Sequence, residues 1–133
     1  MLTSVNVRSL PFRYSPFLMP VFKLDLDKSS ISTETVSVYQ PKGKFSLETV
    51  SEAIQKLRAD PTPHMILDFS GVSYLDSAGV GSLVSLFVSR RGHGRTFALA
   101  ALSMQSNAVV TVAGLQNYLP VHKTLEEALA KKP

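Results

Sequence analysis

Residues 64–92, HMILDFSGVSYLDSAGVGSLVSLFVSRRG, have the pattern of a strand that runs through a turn into a helix. The first part, residues 65–69, is almost entirely apolar and is bounded by Pro63 and Gly71, as expected of a short strand buried on both faces. Apolar residues then recur with helical spacing at Val80, Val84, Phe87 and Val88. A buried strand that leads directly into a helix is characteristic of a parallel α/β sheet, so we predict that fold class.

Small or polar residues, Asp76, Ser77, Ala78 and Gly79, lie where the predicted strand and helix meet. Binding sites of parallel α/β sheets lie beyond the carboxyl ends of the strands, and this junction is such a place. Ser77 could begin the helix itself, or Asp76 could cap it with Ser77 in the first turn, and we favour Asp76 as the cap. Either arrangement leaves a hydroxyl at a helix N-terminus, and the small residues through Gly81 leave the backbone open to a partner.

A two-stranded hairpin is predicted ahead of this region. Phe22, Leu24 and Leu26 alternate with charged residues, which is the pattern of a strand with one solvated face. A second strand is expected at residues 35–39, and the short polar link between the two favours antiparallel pairing. Residues 41–43, Pro-Lys-Gly, are expected to end this second strand.

The first helix is expected to be capped by Ser46, with Leu47 on its buried face, and to end at residues 60–63, Asp-Pro-Thr-Pro. Beyond the central helix, residues 92–94, Gly-His-Gly, provide a stop because glycine readily takes a positive φ. Residues 96–102 have the pattern of a second strand buried on both faces. We expect this strand and the one before the central helix to be parallel, central and covered by helices.

The last third of the chain adds two helices and an edge strand. Ser103 or Ser106 can cap the third helix, although the β-branched residues that follow weaken this prediction. A short strand at residues 119–122 then precedes the fourth helix. Thr124 and Glu127 have the spacing of a capping box, in which each side chain accepts a hydrogen bond from the backbone of the other.

The predicted order is therefore β-β-α-β-α-β-α-β-α, in a single domain over residues 21–133 with a mixed, mostly parallel central sheet and about four helices. Residues 1–20 contain Pro11, Pro16 and Pro20, and their apolar residues follow neither the period of a helix nor that of a strand. We therefore interpret them as an N-terminal extension outside the core. Their apolar side chains could pack on the domain or on a partner, or the start codon could be mis-assigned.

Composition and charge limit the classes of function. The 133 residues carry a net charge of +4, but residues 1–20 hold two basic residues and no acid, which leaves 12 basic against 10 acidic residues elsewhere. So small an excess does not predict direct nucleic-acid binding. The pairs Arg90-Arg91 and Lys131-Lys132 are interpreted as cations that favour a helix C-terminus. The lack of cysteine and of a long apolar run favours a soluble, cytoplasmic protein without a membrane span.

Motifs for conventional chemistry are missing from the sequence. There is no Gly-x-Ser-x-Gly elbow, no Walker loop and no Gly-x-Gly-x-x-Gly dinucleotide motif. His64, His93 and His122 have no metal-ligand spacing, and we interpret them as surface or loop residues. We therefore expect no enzymatic activity, no catalytic residues, no cofactor and no metal.

The motif at residues 68–81, DFSGVSYLDSAGVG, resembles the signature of the STAS domains, the anti-sigma factor antagonists and their relatives. The resemblance extends more weakly over residues 22–129 and implies the same order of elements. In that family the serine directly after the aspartate is phosphorylated, which implies that Ser77 is the acceptor here. Many members have a second hydroxyl residue next, where this chain has Ala78.

Two further residues match the family pattern. Asp68 corresponds to the acidic residue at the strand end, where a carboxylate usually bonds nearby backbone, and Gly43 to a glycine after the second strand. Residues 44–46, Lys-Phe-Ser, depart from the Leu-Asp pair that is common in the loop that follows. Because this loop contributes to the partner surface in the family, the departure bears on which partner is bound.

The resemblance implies an anti-sigma factor antagonist. When unphosphorylated, such a protein binds an anti-sigma factor that has serine kinase activity and so releases a sigma factor. When phosphorylated, it dissociates from the anti-sigma factor, and a serine phosphatase then removes the phosphate. The residues implied at the partner surface are Asp76, Ser77, Ala78, Gly79, Gly81 and Gly43. The alternative is a stand-alone STAS subunit that docks on a transport or lipid-handling complex without a phosphorylation cycle.

Overall fold

The computed structural model describes residues 24–131. The N-terminal extension expected at residues 1–20, the beginning of the first predicted strand at Phe22, and Lys132 all lie outside the described residues. Within them, the structure is a mixed α/β fold built on a single six-stranded sheet.

The strands are β1 (Leu24–Lys28), β2 (Val36–Phe45), β3 (His64–Asp68), β4 (Val72–Leu75), β5 (Thr96–Ala100) and β6 (Val121–His122). Their order in the sheet is β1-β2-β3-β5-β6, and the short β4 also pairs with β2. The β1–β2 pair is antiparallel and the other pairs are parallel. The predicted mixed, mostly parallel sheet and its N-terminal hairpin are thus confirmed.

The helices are α1 (Val50–Ala59), α2 (Ser77–Gly92), α3 (Met104–Val112) and α4 (Leu125–Ala130). The helices α1, α2 and α3 contribute to one large apolar cluster, whereas α4 contributes to a second, smaller one. Adjacent residues of β3 belong to different clusters, Leu67 to the large one and Ile66 to the small one. Both β3 and β5 are therefore interior strands buried on both faces, as predicted from their apolar runs.

The strand β2 is twice as long as predicted, because residues 41–43 do not end it. It pairs with β3 as far as Tyr39 and with β4 from Gly43 onward, so neither parallel partner lies opposite Pro41. The missing amide of Pro41 consequently interrupts neither parallel ladder. Gly43 takes a φ of 114° where the register shifts, a conformation that disfavours other residues.

The strand β4 was not predicted. A 3-10 turn, Phe69–Gly71, separates it from β3, so the chain does not pass directly from β3 into α2 as expected. β4 lies beside the extended half of β2, with Leu75 opposite Phe45. This pairing fixes the position at which α2 begins.

Several helix predictions need correction at the level of single residues. α1 begins at Val50, with Thr49 in the cap position instead of Ser46, and Leu47 is exposed in the loop before it. The buried face of α2 is made by Val80, Leu83 and Leu86. Val84 and Val88, which were assigned to the same face as Val80, are 40% and 60% exposed.

Two further predictions are partly right. β5 ends at Ala100, two residues early, because Ala101 has a φ of 60°. Thr124 does cap α4 by accepting a hydrogen bond from the Glu127 amide. The Glu127 side chain, however, accepts from the amide of Lys123 and not from that of Thr124.

Ser103 caps α3, which settles the choice between the two serines. None of the helices within residues 24–131 combines the length and apolarity needed to cross a bilayer.

Candidate functional site

The start of α2 is organised by the carboxylate of Asp76. Its Oδ1 accepts a hydrogen bond from the Gly79 amide at 2.8 Å, so Asp76 is the N-cap, as favoured from the sequence. Its Oδ2 accepts from the Leu47 amide at 3.2 Å. One side chain thus caps the helix and holds the loop between β2 and α1 against it. Ser77 follows as the first helical residue and is exposed to solvent.

The two glycines of this helix start have different roles. Gly79 is buried, and a Cβ atom there would lie 2.4 Å from the Phe45 carbonyl oxygen and 2.7 Å from Leu75 Cδ1. Internal packing of α2 against β2 and β4 therefore requires glycine at this position. A Cβ at Gly81 would meet nothing within 4 Å, and Gly81 is exposed. The sequence predicts that both glycines lie at the partner surface. Only at Gly81 does the backbone face solvent.

Gln105, near the start of α3, holds the end of β4. Its side-chain amide donates to the Leu75 carbonyl at 2.7 Å and accepts from the Leu75 amide at 2.9 Å. It thereby completes the hydrogen bonding of β4 on the edge opposite β2, as a further strand would. Sequence reasoning missed this residue, since a glutamine in a first helical turn carries no signal of a distant backbone partner.

An apolar groove of about 550 Å³ lies between α2 and α3, directly beside Ser77. Ser77, Val80 and Gly81 line one side, and Val109, Val112 and Ala113 line the other. Val112 is 90% exposed although it is a large aliphatic residue. Two of the β-branched residues that weakened the prediction of α3, Val109 and Val112, lie in this wall.

More exposed apolar side chains surround the helix start. Leu47, whose amide is bound by Asp76, is 71% exposed. Tyr74 is 42% exposed and carries the Lys44 ammonium group 5.7 Å from its ring centroid. Met104, next to Gln105, is 92% exposed. Scattered exposed apolar residues are ordinary, but a groove with apolar neighbours on three adjoining segments is typical of a protein-binding surface.

The other two residues that match the family pattern are structural. Asp68 Oδ1 accepts from the Ser70 amide at 3.0 Å and Oδ2 accepts from Gln40 Nε2 at 3.1 Å, so the carboxylate shapes the turn between β3 and β4. Gly43 lies within β2 and not in a loop after it. The structure therefore brings residues 76–81 together on one helical turn and a half but leaves Gly43 in the sheet.

The opposite end of α2 contains a buried polar network. Arg90 is 2% exposed, and its guanidinium donates to the backbone carbonyls of Thr96, Asp60 and Thr62 at 2.8, 3.2 and 2.6 Å. Arg90 lies in the last turn of α2, as predicted, but its guanidinium is buried and bonds other segments of the chain. Burial lowers the pKa of Arg90, and the nearby Asp60 carboxylate opposes that change.

Asp60 links this network to β1 and β2. Its carboxylate accepts hydrogen bonds from Thr62 and from Tyr39, whose hydroxyl lies 2.6 Å away, and it is 3.5 Å from Lys28 Nζ. Burial alone would raise the pKa of Asp60, but the hydrogen bonds from Thr62 and Tyr39 outweigh it and lower the pKa to about 2. Burial, reinforced by the bond to Asp60, raises the pKa of Tyr39. These groups stabilise the fold at the far end from Ser77.

Comparison with known proteins agrees with this architecture. A family model described as the STAS domain matches residues 31–128. The chain is similar in structure to a putative anti-sigma factor antagonist from Thermotoga maritima, with a TM-score of 0.70, 19% identity, and 80% of this chain and 92% of that chain covered. An anti-sigma factor antagonist from Mycobacterium paratuberculosis has a TM-score of 0.69 and 23% identity over the same shares.

A sulfate transporter family protein from Wolinella succinogenes is also similar, with a TM-score of 0.63, 20% identity, and 76% of this chain and 87% of that chain covered. At such identities the structural likeness establishes a shared fold. The family model covers most of the chain, and its match contains the whole of the motif at residues 68–81 and the sheet strands from β2 to β6. The chain therefore belongs to the STAS domain family.

Proposed function

We propose that this protein is an anti-sigma factor antagonist whose binding to an anti-sigma factor serine kinase is switched by phosphorylation of Ser77. The unphosphorylated protein binds the anti-sigma factor and releases a sigma factor. The observation that supports this most directly is the exposed hydroxyl of Ser77 at the first position of α2, beside an apolar groove. A kinase can reach such a hydroxyl, and a docked partner would cover it.

The switch follows from the charge that phosphorylation adds. A phosphoserine carries about −1.5 to −2 charges, which the amides at the helix start tolerate but the adjacent Asp76 carboxylate opposes. In a complex, those charges would lie against the apolar groove and lose their water. Loss of a close polar contact costs about 2 to 5 kcal/mol, which corresponds to a weakening of binding by tens to thousands of fold.

We further propose that the protein is not an enzyme and acts in the cytoplasm. The nearest acidic side chain to the Ser77 hydroxyl in the sequence is Asp76, and both of its oxygens accept backbone hydrogen bonds, from Gly79 and Leu47. It is thus occupied as a cap and is not free to act as a general base. In this proposal the kinase partner places the phosphate on Ser77 and a serine phosphatase removes it.

The proposal is tested with the purified chain, a candidate anti-sigma kinase and ATP. Phosphate should appear on Ser77, and Ser77→Ala should abolish labelling and bind the kinase persistently. Ser77→Asp should bind at least about tenfold more weakly than Ser77→Ala, because a carboxylate introduces part of the phosphate charge. Ser73→Ala and Ser70→Ala are matched controls, since both serines are exposed and precede the same helix. Equal binding by Ser77→Ala and Ser77→Asp, or labelling of Ser70 or Ser73, would refute the switch.

One alternative function has its own support. The groove beside Ser77 is lined almost wholly by apolar groups, and such a surface can dock a protein without any phosphorylation. A stand-alone STAS subunit of a transport or lipid-handling complex would use it in this way, and the likeness to a sulfate transporter family protein is compatible with that function. Capture from native lysate separates the two: a histidine-kinase-like ATPase supports the antagonist, and a membrane transport or lipid-handling component supports the alternative.

A further inference from the structure

The outward face of α2 carries a regular row of exposed residues. Its members follow one another at intervals of four, three, four and three positions: Ser77, Gly81, Val84, Val88 and Arg91. The two valines are 40% and 60% exposed, and the row is uncharged except at its last residue. This spacing keeps all five residues on one stripe of the helix, as in a seam at which two helices pair.

The row is nearly symmetric about Val84. Ser77 lies seven residues before Val84 and Arg91 seven residues after it, each about 10 Å away along the helix axis. If two α2 helices run antiparallel about a twofold axis at Val84, Ser77 of each copy lies opposite Arg91 of the other. Gly81 then lies within one residue of the level of Val88 of the second copy. A Cβ at Gly81 would meet nothing within 4 Å, so there is room for that valine side chain.

The neighbouring helix α3 adds an uncharged surface to this face. Residues 96–122 contain no Asp, Glu, Lys or Arg, and Val112 of α3 is 90% exposed beside the groove that Gly81 also lines. The same twofold axis sets α3 of one copy against α3 of the other. Burial of Val112 there removes apolar surface from water and desolvates no charge on α3, as in the centre of a protein–protein interface.

The charges on this face are unbalanced in the unmodified chain. Arg58, at the end of α1, donates a hydrogen bond to Ser85 of α2, and Arg91 is exposed at the end of the row, whereas Asp76 supplies one carboxylate. Two unmodified copies therefore bring two exposed guanidinium groups against one carboxylate from each copy, which disfavours pairing. A phosphate on Ser77 adds about −1.5 to −2 charges to each copy and offsets this excess.

We propose that the chain phosphorylated at Ser77 pairs with a second phosphorylated copy through antiparallel α2 helices, with each phosphate bound by Arg91 of the other copy. This inference rests on the proposed phosphorylation of Ser77. A guanidinium–phosphate pair is among the strong charge-assisted contacts, and the twofold axis makes it form twice. Pairing covers the groove beside Ser77, so the released, phosphorylated chain is also withheld from the kinase.

Sedimentation equilibrium of the full chain with phosphoserine at position 77, introduced during translation, tests the pairing. Its dimer dissociation constant should be at least about tenfold lower than that of the unmodified chain. Within the phosphorylated chain, Arg91→Glu should raise that constant at least about tenfold. Lys131→Glu is the matched control, since it makes the same charge change at the end of α4, on the other face of the sheet, and should leave the constant unchanged. Equal constants with and without phosphate, or equal effects of the two substitutions, would overturn the proposal.

A second pair of variants and an NMR measurement locate the interface. Val84→Lys places two ammonium groups at the axis and should abolish the phosphorylated dimer, whereas Ile31→Lys, at an exposed aliphatic residue in the loop between β1 and β2, should not. Isotope-filtered NMR on a mixture of labelled and unlabelled phosphorylated chains should show contacts between copies at the methyl groups of Val84, Val88 and Val112. Contacts at Ile31 in place of these valines would show that the chain pairs through another surface and would refute the α2 arrangement.

None of these measurements requires the kinase. A phosphoserine chain that stays monomeric, together with a Ser77 that a kinase labels, would overturn the pairing and leave the proposed switch in place. A dimer of the phosphoserine chain, together with a Ser77 that no anti-sigma kinase labels, would support the pairing surface and refute the switch. The two failures are therefore distinguishable.

Discussion

The two ends of helix α2 use their polar groups in opposite ways. At the N-terminal end, Asp76 satisfies the backbone and leaves the Ser77 hydroxyl exposed. At the C-terminal end, the charged Arg90 is itself buried and satisfies three carbonyl groups from two other segments. One end presents a reactive group to solvent, and the other fixes the helix in the fold.

This difference indicates where substitutions should affect stability and where they should affect recognition. A buried cation that bonds three carbonyls cannot be removed without leaving those groups unsatisfied. An exposed hydroxyl that follows a capping residue can be removed with little structural cost. The same helix can thus keep its position while its N-terminal surface changes charge, as a phosphorylation switch requires.

The largest effect is expected from Arg90→Met. Methionine keeps much of the side-chain volume but loses the bonds to Thr96, Asp60 and Thr62, so the free energy of unfolding should fall by about 3 to 5 kcal/mol. Arg91→Met is the matched control, because Arg91 is exposed in the same helical turn, and its effect should stay within about 0.5 kcal/mol. Urea unfolding measures both. Equal losses for the two variants would contradict the anchoring role of Arg90.

The next effect concerns the two glycines at the other end. Gly79→Ala places a methyl group against the Phe45 carbonyl and Leu75, which should cost about 2 to 3 kcal/mol despite the better helix propensity of alanine. Gly81→Ala meets no atom and should stabilise the protein by about 0.5 to 1 kcal/mol. Thermal unfolding distinguishes the two. A stabilised Gly79→Ala variant would show that α2 does not pack on β2 as closely as described.

Local patterns predicted most of the fold. The apolar run at residues 65–69 correctly predicts an interior strand, and the hairpin follows from alternation in β1. β4 could not be predicted, because its four residues have no distinguishing period and form a strand only by pairing with the far end of β2. The same pairing explains why Pro41 and Gly43 were mistaken for the end of β2.

The candidate site was predicted only in part, again because some of its contacts join segments that are far apart in the sequence. The cap by Asp76 is a local feature, and the sequence placed it correctly. The bond from Gln105 to Leu75 and the groove wall at Val112 join segments about thirty residues apart, which no short motif records. Arg90 was correctly placed in the last turn of a helix, but its burial could not be predicted, because a cation near a helix end looks the same in sequence whether it is solvated or buried. That Ser77 is phosphorylated and that Gly81 contacts a partner stay predictions.

A pH effect of intermediate size is expected from Asp60. Its pKa is lowered from the ordinary value of 3.8 to about 2 in the folded protein, so the folded state binds fewer protons than the unfolded state between these values. The resulting stability, about 2 kcal/mol, should be present above pH 4 and be lost as the pH falls toward 2. In Asp60→Asn this part of the loss should be absent, whereas Asp27→Asn, at an exposed carboxylate, should leave it in place. Urea unfolding between pH 2 and 5 measures it, and identical pH profiles for all three proteins would refute the assignment.

The smallest effects separate the cap from the hydroxyl beside it. Asp76→Ala loses the bonds to the Gly79 and Leu47 amides and should cost about 1 to 2 kcal/mol. Asp76→Asn keeps one acceptor oxygen for the Gly79 amide, so it should lose only part of that stability. Ser77→Ala should change stability by no more than about 0.5 kcal/mol, because alanine is the better helix former and Ser77 is not the cap. Urea unfolding of the three variants gives the ranking. If Ser77→Ala destabilised the protein as much as Asp76→Ala, the hydroxyl would be part of the folded framework, and the N-terminal end of α2 would no longer differ from its C-terminal end.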